Sequence, residues 1–223
     1  MKVTKWFVVI TAVVITSLIT ANIIAVKLVT IFGFFLPAGV VIFPISYIFG
    51  DILTEVYGYR LTRLVIWLGF LCNLLAVVAI WIAQILPPAP FWADQVAYEA
   101  ILGYPPRLLV ASFVAYLIGE FANSYILARL KIATQGRWLW LRTTSSTFVG
   151  QGLDSLVFMV LAFAGTIPSA GLVNAILTQW VFKSTYEVLA TPLTYAITNF
   201  LKRLEGIDTY DYGTNFSPVA FGD

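Results

Sequence analysis

The side chains of this chain that could do chemistry lie inside its apolar stretches. Asp51 and Glu55 are four residues apart, a spacing that puts both carboxylates on one face of a helix. Glu120 and Asn123 form a shorter pair with Tyr116 one turn earlier, and Gln151 and Asp154 repeat that spacing. Gln179, Lys183 and Glu187 follow at intervals of four, in a line on one face, and Asn22 adds an amide. Groups of these types can hydrogen-bond a polar solute, hold a cation or exchange a proton. Histidine is absent and the single cysteine, Cys72, sits in an apolar run, which removes imidazole relays, disulfides and cysteine metal sites. There is no Gly-x-Ser-x-Gly elbow and no P-loop, so neither a serine hydrolase nor ATP hydrolysis is expected. The expectation is a protein that is not an enzyme and needs no cofactor or metal.

The elements that must position these groups follow from hydropathy. Sixty per cent of the 223 residues are hydrophobic and 11% charged, with a mean hydropathy of +0.90. Soluble domains carry about 25% charged residues, so lipid is the solvent for most of this chain. Apolar runs near 6–30, 34–58, 61–86, 108–130, 147–166 and 172–201 predict an all-α integral membrane protein, a bundle of six transmembrane helices. Gly33, Pro37, Gly39 and Pro44 crowd the start of the second run, where they are expected to interrupt its helix. The first run is too long for a signal h-region of about 7–15 residues and is read as a mature helix. Residues 1–204 are expected to form one transmembrane domain. Residues 205–223 are expected to be a polar, loosely ordered cytoplasmic tail.

Ten of the 13 basic residues fall on one side of this arrangement, among them Lys2, Lys5, Arg60, Arg63, Lys131, Arg142, Lys202 and Arg203. Positive residues stay inside, so both termini are expected to be cytoplasmic. Counting inward from that side at about 1.5 Å per residue puts Asp51 and Asp154 roughly 10–12 Å deep, Glu120 about 15 Å and Glu187 about 20 Å. Each such group costs on the order of 2.5–3.5 kcal/mol to insert and should face the others or water. Lys183, with Asp154 or Glu187 as its partner, is the lone base at that depth against five carboxylates. A structural polar network is the competing reading, but the excess negative charge favours a solute site. Asn73 and Cys72 read as packing residues. Phe43, Trp180 and Tyr186 read as core or lipid-facing aromatics, one or two of which could stack on a planar ligand because they lie beside the polar positions.

Several ordered motifs carry a family resemblance. Phe43-Pro44-Ile45-Ser46-Tyr47 is followed by Gly50-Asp51-x-x-x-Glu55-Val56-Tyr57-Gly58. Further along come Gly119-Glu120-Phe121-x-Asn123-Ser124 and Gly136-Arg137-Trp138-Leu139-Trp140. Gly150-Gln151-Gly152-Leu153-Asp154-Ser155 and Lys183-x-x-Tyr186-Glu187-x-x-x-Thr191-Pro192 complete the set. Together, over roughly residues 21–201, they resemble the signature of the bacterial VUT family of membrane transporters. The resemblance implies a multi-pass protein of the bacterial inner membrane. It also implies uptake of queuosine precursors: 7-cyano-7-deazaguanine, 7-aminomethyl-7-deazaguanine or queuine. Substrate-binding residues would then come from Asn22, Phe43, Asp51, Glu55, Glu120, Asn123, Gln151, Asp154, Gln179, Lys183 and Glu187, with proton coupling through one of the carboxylates. A distant relation to the membrane subunits of ATPase-powered vitamin importers is implied as well, and an intramembrane enzyme is the least favoured alternative. The expected partners are a small molecule and the bilayer, with no nucleic acid; a homo-oligomer is compatible with this reading.

Overall fold

The computed structural model describes residues 4–31, 34–103 and 105–220; Lys2 and Gly33 lie outside them. Among the described residues, seven α-helices dominate. Helix α1 (Lys5–Ile24) starts where the Thr4 hydroxyl accepts from the Phe7 N–H at 3.2 Å, an N-cap that satisfies one orphan donor of the first turn. It is followed by a two-stranded antiparallel hairpin, β1 (Leu28–Ile31) and β2 (Phe34–Pro37), with Leu28 opposite Pro37. A 3-10 turn, Ala38–Val41, leads into α2 (Phe43–Tyr57). Pro37 and Gly39 therefore lie in the strand and turn that precede α2, not within an α-helix. Pro44 sits in the first turn of α2, where its missing N–H costs nothing.

Helix α2 ends at Gly58, whose φ of 82° is accessible mainly to glycine, and α3 (Tyr59–Ile85) starts at the next residue. The short helix α4 (Gln95–Leu102) lies in the loop before α5 (Pro106–Ala133). Helices α6 (Leu139–Phe163) and α7 (Ser169–Glu205) complete the bundle. Among the described residues, four stretches are long and apolar enough to cross a membrane: Lys5–Ile24, Tyr59–Ile85, Gln95–Ala133 and Leu139–Phe163. At 15 residues α2 is shorter than a plain span, and α7 carries Lys183, Glu187 and an internal Pro192. Large apolar side chains such as Leu75, Trp81 and Leu189 face outward, as an apolar solvent allows and water would not.

Two glycines set the closest helix contact. A Cβ on Gly119 would fall 2.8 Å from that of Asp154, and one on Gly150 would fall 2.7 Å from that of Asn123. Small residues at such positions let helix backbones approach closely in a membrane. The polar residues of α5 and α6 are thereby pressed together. The Arg107 guanidinium donates to the carbonyls of Leu161 and Ala164 at 2.7 Å each, closing the free end of α6.

The polar tail is docked, contrary to the loose order expected of it. The Thr209 N–H donates to the Val56 carbonyl at 3.1 Å, and the Arg63 guanidinium donates to the carbonyls of Asn215 and Ser217 at 2.8 and 2.9 Å. Backbone groups of the tail supply partners that a count of polar side chains does not reveal.

Candidate functional site

A cavity of about 430 Å³ opens among α1, the 3-10 turn, α2, α6 and α7, with Asn73 of α3 and Tyr116 of α5 reaching its wall. That volume suits a small organic molecule. Five carboxamides converge on it: Asn22, Asn73, Gln151, Asn174 and Gln179. The hydroxyls of Tyr47 and Tyr116 and the carboxylate of Glu187 add further polar groups. Phe43, Phe158, Phe182 and Tyr186 supply aromatic walls. The Lys183 ammonium ion-pairs with Asp154 at 2.5 Å and lies 5.3 Å from the centroid of the Phe43 ring, within cation–π range. One base is thus held between a carboxylate and a ring. The buried Gln151 Oε1 has no hydrogen-bond partner, an acceptor left open beside the cavity.

Behind this cavity lies a second polar layer. The Asn123 amide donates to Asp51 Oδ1 at 2.7 Å, while Asp51 Oδ2 and Asn123 Oδ1 are buried without partners. Glu120 sits one turn away on α5 and touches a small void that Tyr116 and Leu18 share with the main cavity. Asp51 is in Coulombic range of Glu187 and Glu120. Among the described residues, Asp51, Glu120 and Glu187 have no ion-pair partner, an expensive arrangement for buried charge.

The third cluster is of a different kind. Glu55, fully buried, accepts from Arg142 Nε and Nη2 at 2.7 Å each, a bidentate pair. Lys202 reaches the same carboxylate at 2.6 Å and Lys131 at 3.6 Å. Asp208 of the tail closes the network on both lysines. Partial burial alone would raise the Asp208 carboxyl, but the hydrogen bonds from Lys131 and Lys202 outweigh it and hold it below the ordinary 3.8.

The family described as "Putative vitamin uptake transporter" matches residues 37–197. The chain belongs to this family. It is a membrane transporter of a bacterial multi-pass type, and not an enzyme. It is 29% identical over 179 residues to the "Probable queuosine precursor transporter" of Bacillus subtilis, covering 80% of this chain and 78% of that one. It is 29% identical over 135 residues to the "Queuosine precursor transporter" of Escherichia coli, covering 60% of this chain and 58% of the other. No solved structure is significantly similar.

In this transporter, seven of the residues singled out in the sequence line the cavity: Asn22, Phe43, Gln151, Asp154, Gln179, Lys183 and Glu187. Asp51, Glu120 and Asn123 form the layer behind it. Glu55 is not on the cavity; it is the hub of the ion cluster one helical turn beyond Asp51. Asn73, read as a packing residue, is on the wall, as are Tyr47, Asn174 and Phe182, which were not singled out. The stripe on α7 could have revealed part of this set. Continued one turn back from Gln179, its spacing of four arrives at Ala175, next to Asn174.

Proposed function

We propose that this transporter imports queuosine precursors, with the cavity as their binding site. The observation that carries the reading is the convergence of five carboxamides and an unpaired Glu187 on an aromatic-walled space. A 7-deazaguanine presents N1–H and a 2-amino group as parallel donors, which one carboxylate accepts bidentately. Glu187 takes that role. The O6 acceptor needs a donor, and Lys183, Gln151 or Gln179 supplies it. The planar ring stacks on Phe43 or Tyr186. The names of the Bacillus subtilis and Escherichia coli relatives support the same cargo class.

The finer assignments belong to the same proposal. Helices α2 and α7 join the four long apolar stretches to give six crossings, with the basic ends of the helices and both termini cytoplasmic. Residues 1–204 act as the transport domain and 205–223 as its cytoplasmic extension. Import is coupled to protons through Asp51, Glu120 or Glu187, the carboxylates that lack a base. The sequence holds no ATP-binding P-loop, so the energy comes from the gradient or from a separate ATPase.

The test is uptake by proteoliposomes containing only this protein, under an imposed inward proton gradient. The cargo panel is 7-cyano-7-deazaguanine, 7-aminomethyl-7-deazaguanine, queuine, guanine and a vitamin. The expected result is saturable uptake of at least one deazaguanine, abolished by collapsing the gradient and by Glu187→Gln. Binding of a deazaguanine without uptake would transfer the energy source to a partner ATPase. No binding of any deazaguanine would sink the cargo assignment.

A further inference from the structure

The transport reading leaves the ion cluster and the docked tail without a task, and their placement supplies one. The cavity is lined by the far parts of each helix: Tyr116 on α5, Asp154 on α6, Lys183 on α7. The tail grips the opposite ends, through Lys131 on α5 and Lys202 on α7, and Arg142 lies at that same end of α6. At about 1.5 Å per residue, those positions are roughly 14–22 Å along their helices from the nearest lining residues, Tyr116, Gln151 and Glu187. Between them lies the packed layer of Asp51, Asn123 and Glu120. The cavity is thus shut off from the basic end by two successive layers.

The outer layer is held in two unequal parts. Glu55 and Arg142 form an inaccessible bidentate pair. Asp208 is 43% exposed although both of its lysines pair with it, and exposed pairs contribute little net free energy. Its role follows from charge balance. Arg142, Lys131 and Lys202 bring three positive charges to one Glu55 carboxylate, and Asp208 contributes the second negative charge from the tail. Beyond it the strap crosses the corner between α2 and α3. The Tyr59 N–H donates to Asp211 Oδ2 at 3.0 Å, and a Cβ on Gly58 would fall 2.7 Å from Thr209 Cγ2. Farther on, Trp67 Nε1 donates to the Pro218 carbonyl at 2.8 Å.

We propose that residues 206–218 are a releasable strap over the cytoplasmic gate: cargo leaves the cavity only when Asp208 parts from Lys131 and Lys202 and the strap lifts from the α2–α3 corner. The structure is the state closed on that side. This inference rests on the transport reading and on the basic end being cytoplasmic, and its test separates the two.

In a Cys72→Ser background, Val56→Cys and Thr209→Cys place two thiols on residues whose backbones meet in a hydrogen bond of 3.1 Å across the strap, a separation suited to a disulfide. Ser146→Cys, a near-isosteric change at a buried position one turn inward of Arg142, reports access from the cytoplasmic side through its maleimide labelling rate, followed by mass spectrometry on the peptide that carries residue 146. Oxidation of the pair is expected to lower both Ser146→Cys labelling and deazaguanine uptake at least tenfold, with reduction restoring both. Cargo binding should stay within twofold. Asp208→Asn, which needs no cross-link, is expected to raise labelling severalfold. Equal labelling in the oxidised and reduced pair, or no rise with Asp208→Asn, overturns the strap. Absence of uptake by the unmodified protein would instead count against the transport reading, and the labelling result would still decide the strap.

Discussion

Replacing Arg142 with methionine tests whether the Glu55 cluster is structural. The guanidinium is 2% exposed and the carboxylate 0%. The substitution removes two charge-assisted hydrogen bonds of 2.7 Å and the donation from Nη1 to the Arg137 carbonyl at 2.6 Å. Breaking a buried pair by deleting one partner costs about 3–5 kcal/mol, because the other charge stays buried. Here Lys202 remains 2.6 Å from Glu55 and Lys131 3.6 Å, so the lower end applies, about 3 kcal/mol. At about 2–4 °C per kcal/mol for a chain of this size, the midpoint of thermal unfolding in detergent should fall by about 6–12 °C. Deazaguanine affinity, measured well below that midpoint, should be unchanged, because neither residue lines the cavity. A double-mutant cycle with Glu55→Gln should show the two losses to be non-additive by about 2 kcal/mol. Additive losses, a midpoint shift under about 2 °C, or a tenfold loss of affinity with the fold intact would each refute the reasoning.

Four further outcomes follow from the same geometry. Lys183→Met strands Asp154 and removes the cation above Phe43, so cargo affinity measured by scintillation proximity should drop at least tenfold, about 1.4 kcal/mol. Asn73→Ala should weaken binding severalfold with little change in the unfolding midpoint, since the amide is on the cavity wall; a loss of stability alone would return it to packing. Gly150→Leu drives a side chain into Asn123, with an overpacking cost of about 1–3 kcal/mol and weaker binding in isothermal titration, because α5 and α6 carry polar groups of both inner layers. The pH dependence of the strap has a definite sign. A carboxyl held below its ordinary value contributes above that value and loses its contribution as pH falls through the lowered one. Asp208 therefore keeps the strap docked at all pH above its ordinary 3.8. A spin label at Tyr212→Cys should report constant tail mobility at neutral and mildly acid pH, so any dependence of uptake there belongs to the inner carboxylates.

The limits of what could be read in the sequence are instructive at particular residues. Apolar length and polar spacing located the long helices and seven residues of the cavity wall, because both depend on periodicity, which is local. Asp51 and Glu55 show where that fails. Four residues apart, they share a helix face, yet one turn of rise separates a layer behind the cavity from an ion cluster. What divides them is the identity of their neighbours on α5, α6 and α7, and no spacing along α2 encodes it. Arg142 and Lys131 were counted as loop charges that set orientation, yet both fold inward to near-complete burial. Likewise, Gly and Pro between residues 33 and 44 signalled a broken helix, whereas the pairing of Leu28 with Pro37 depends on a partner strand. Five carboxylates against one lysine suggested a general excess of negative charge. With Glu55 answered by three bases and Asp154 by Lys183, the excess contracts to Asp51, Glu120 and Glu187. Glu187 is on the cavity wall, while Asp51 and Glu120 lie between cavity and strap. A proton that travels with the cargo would pass those two groups before reaching the gate.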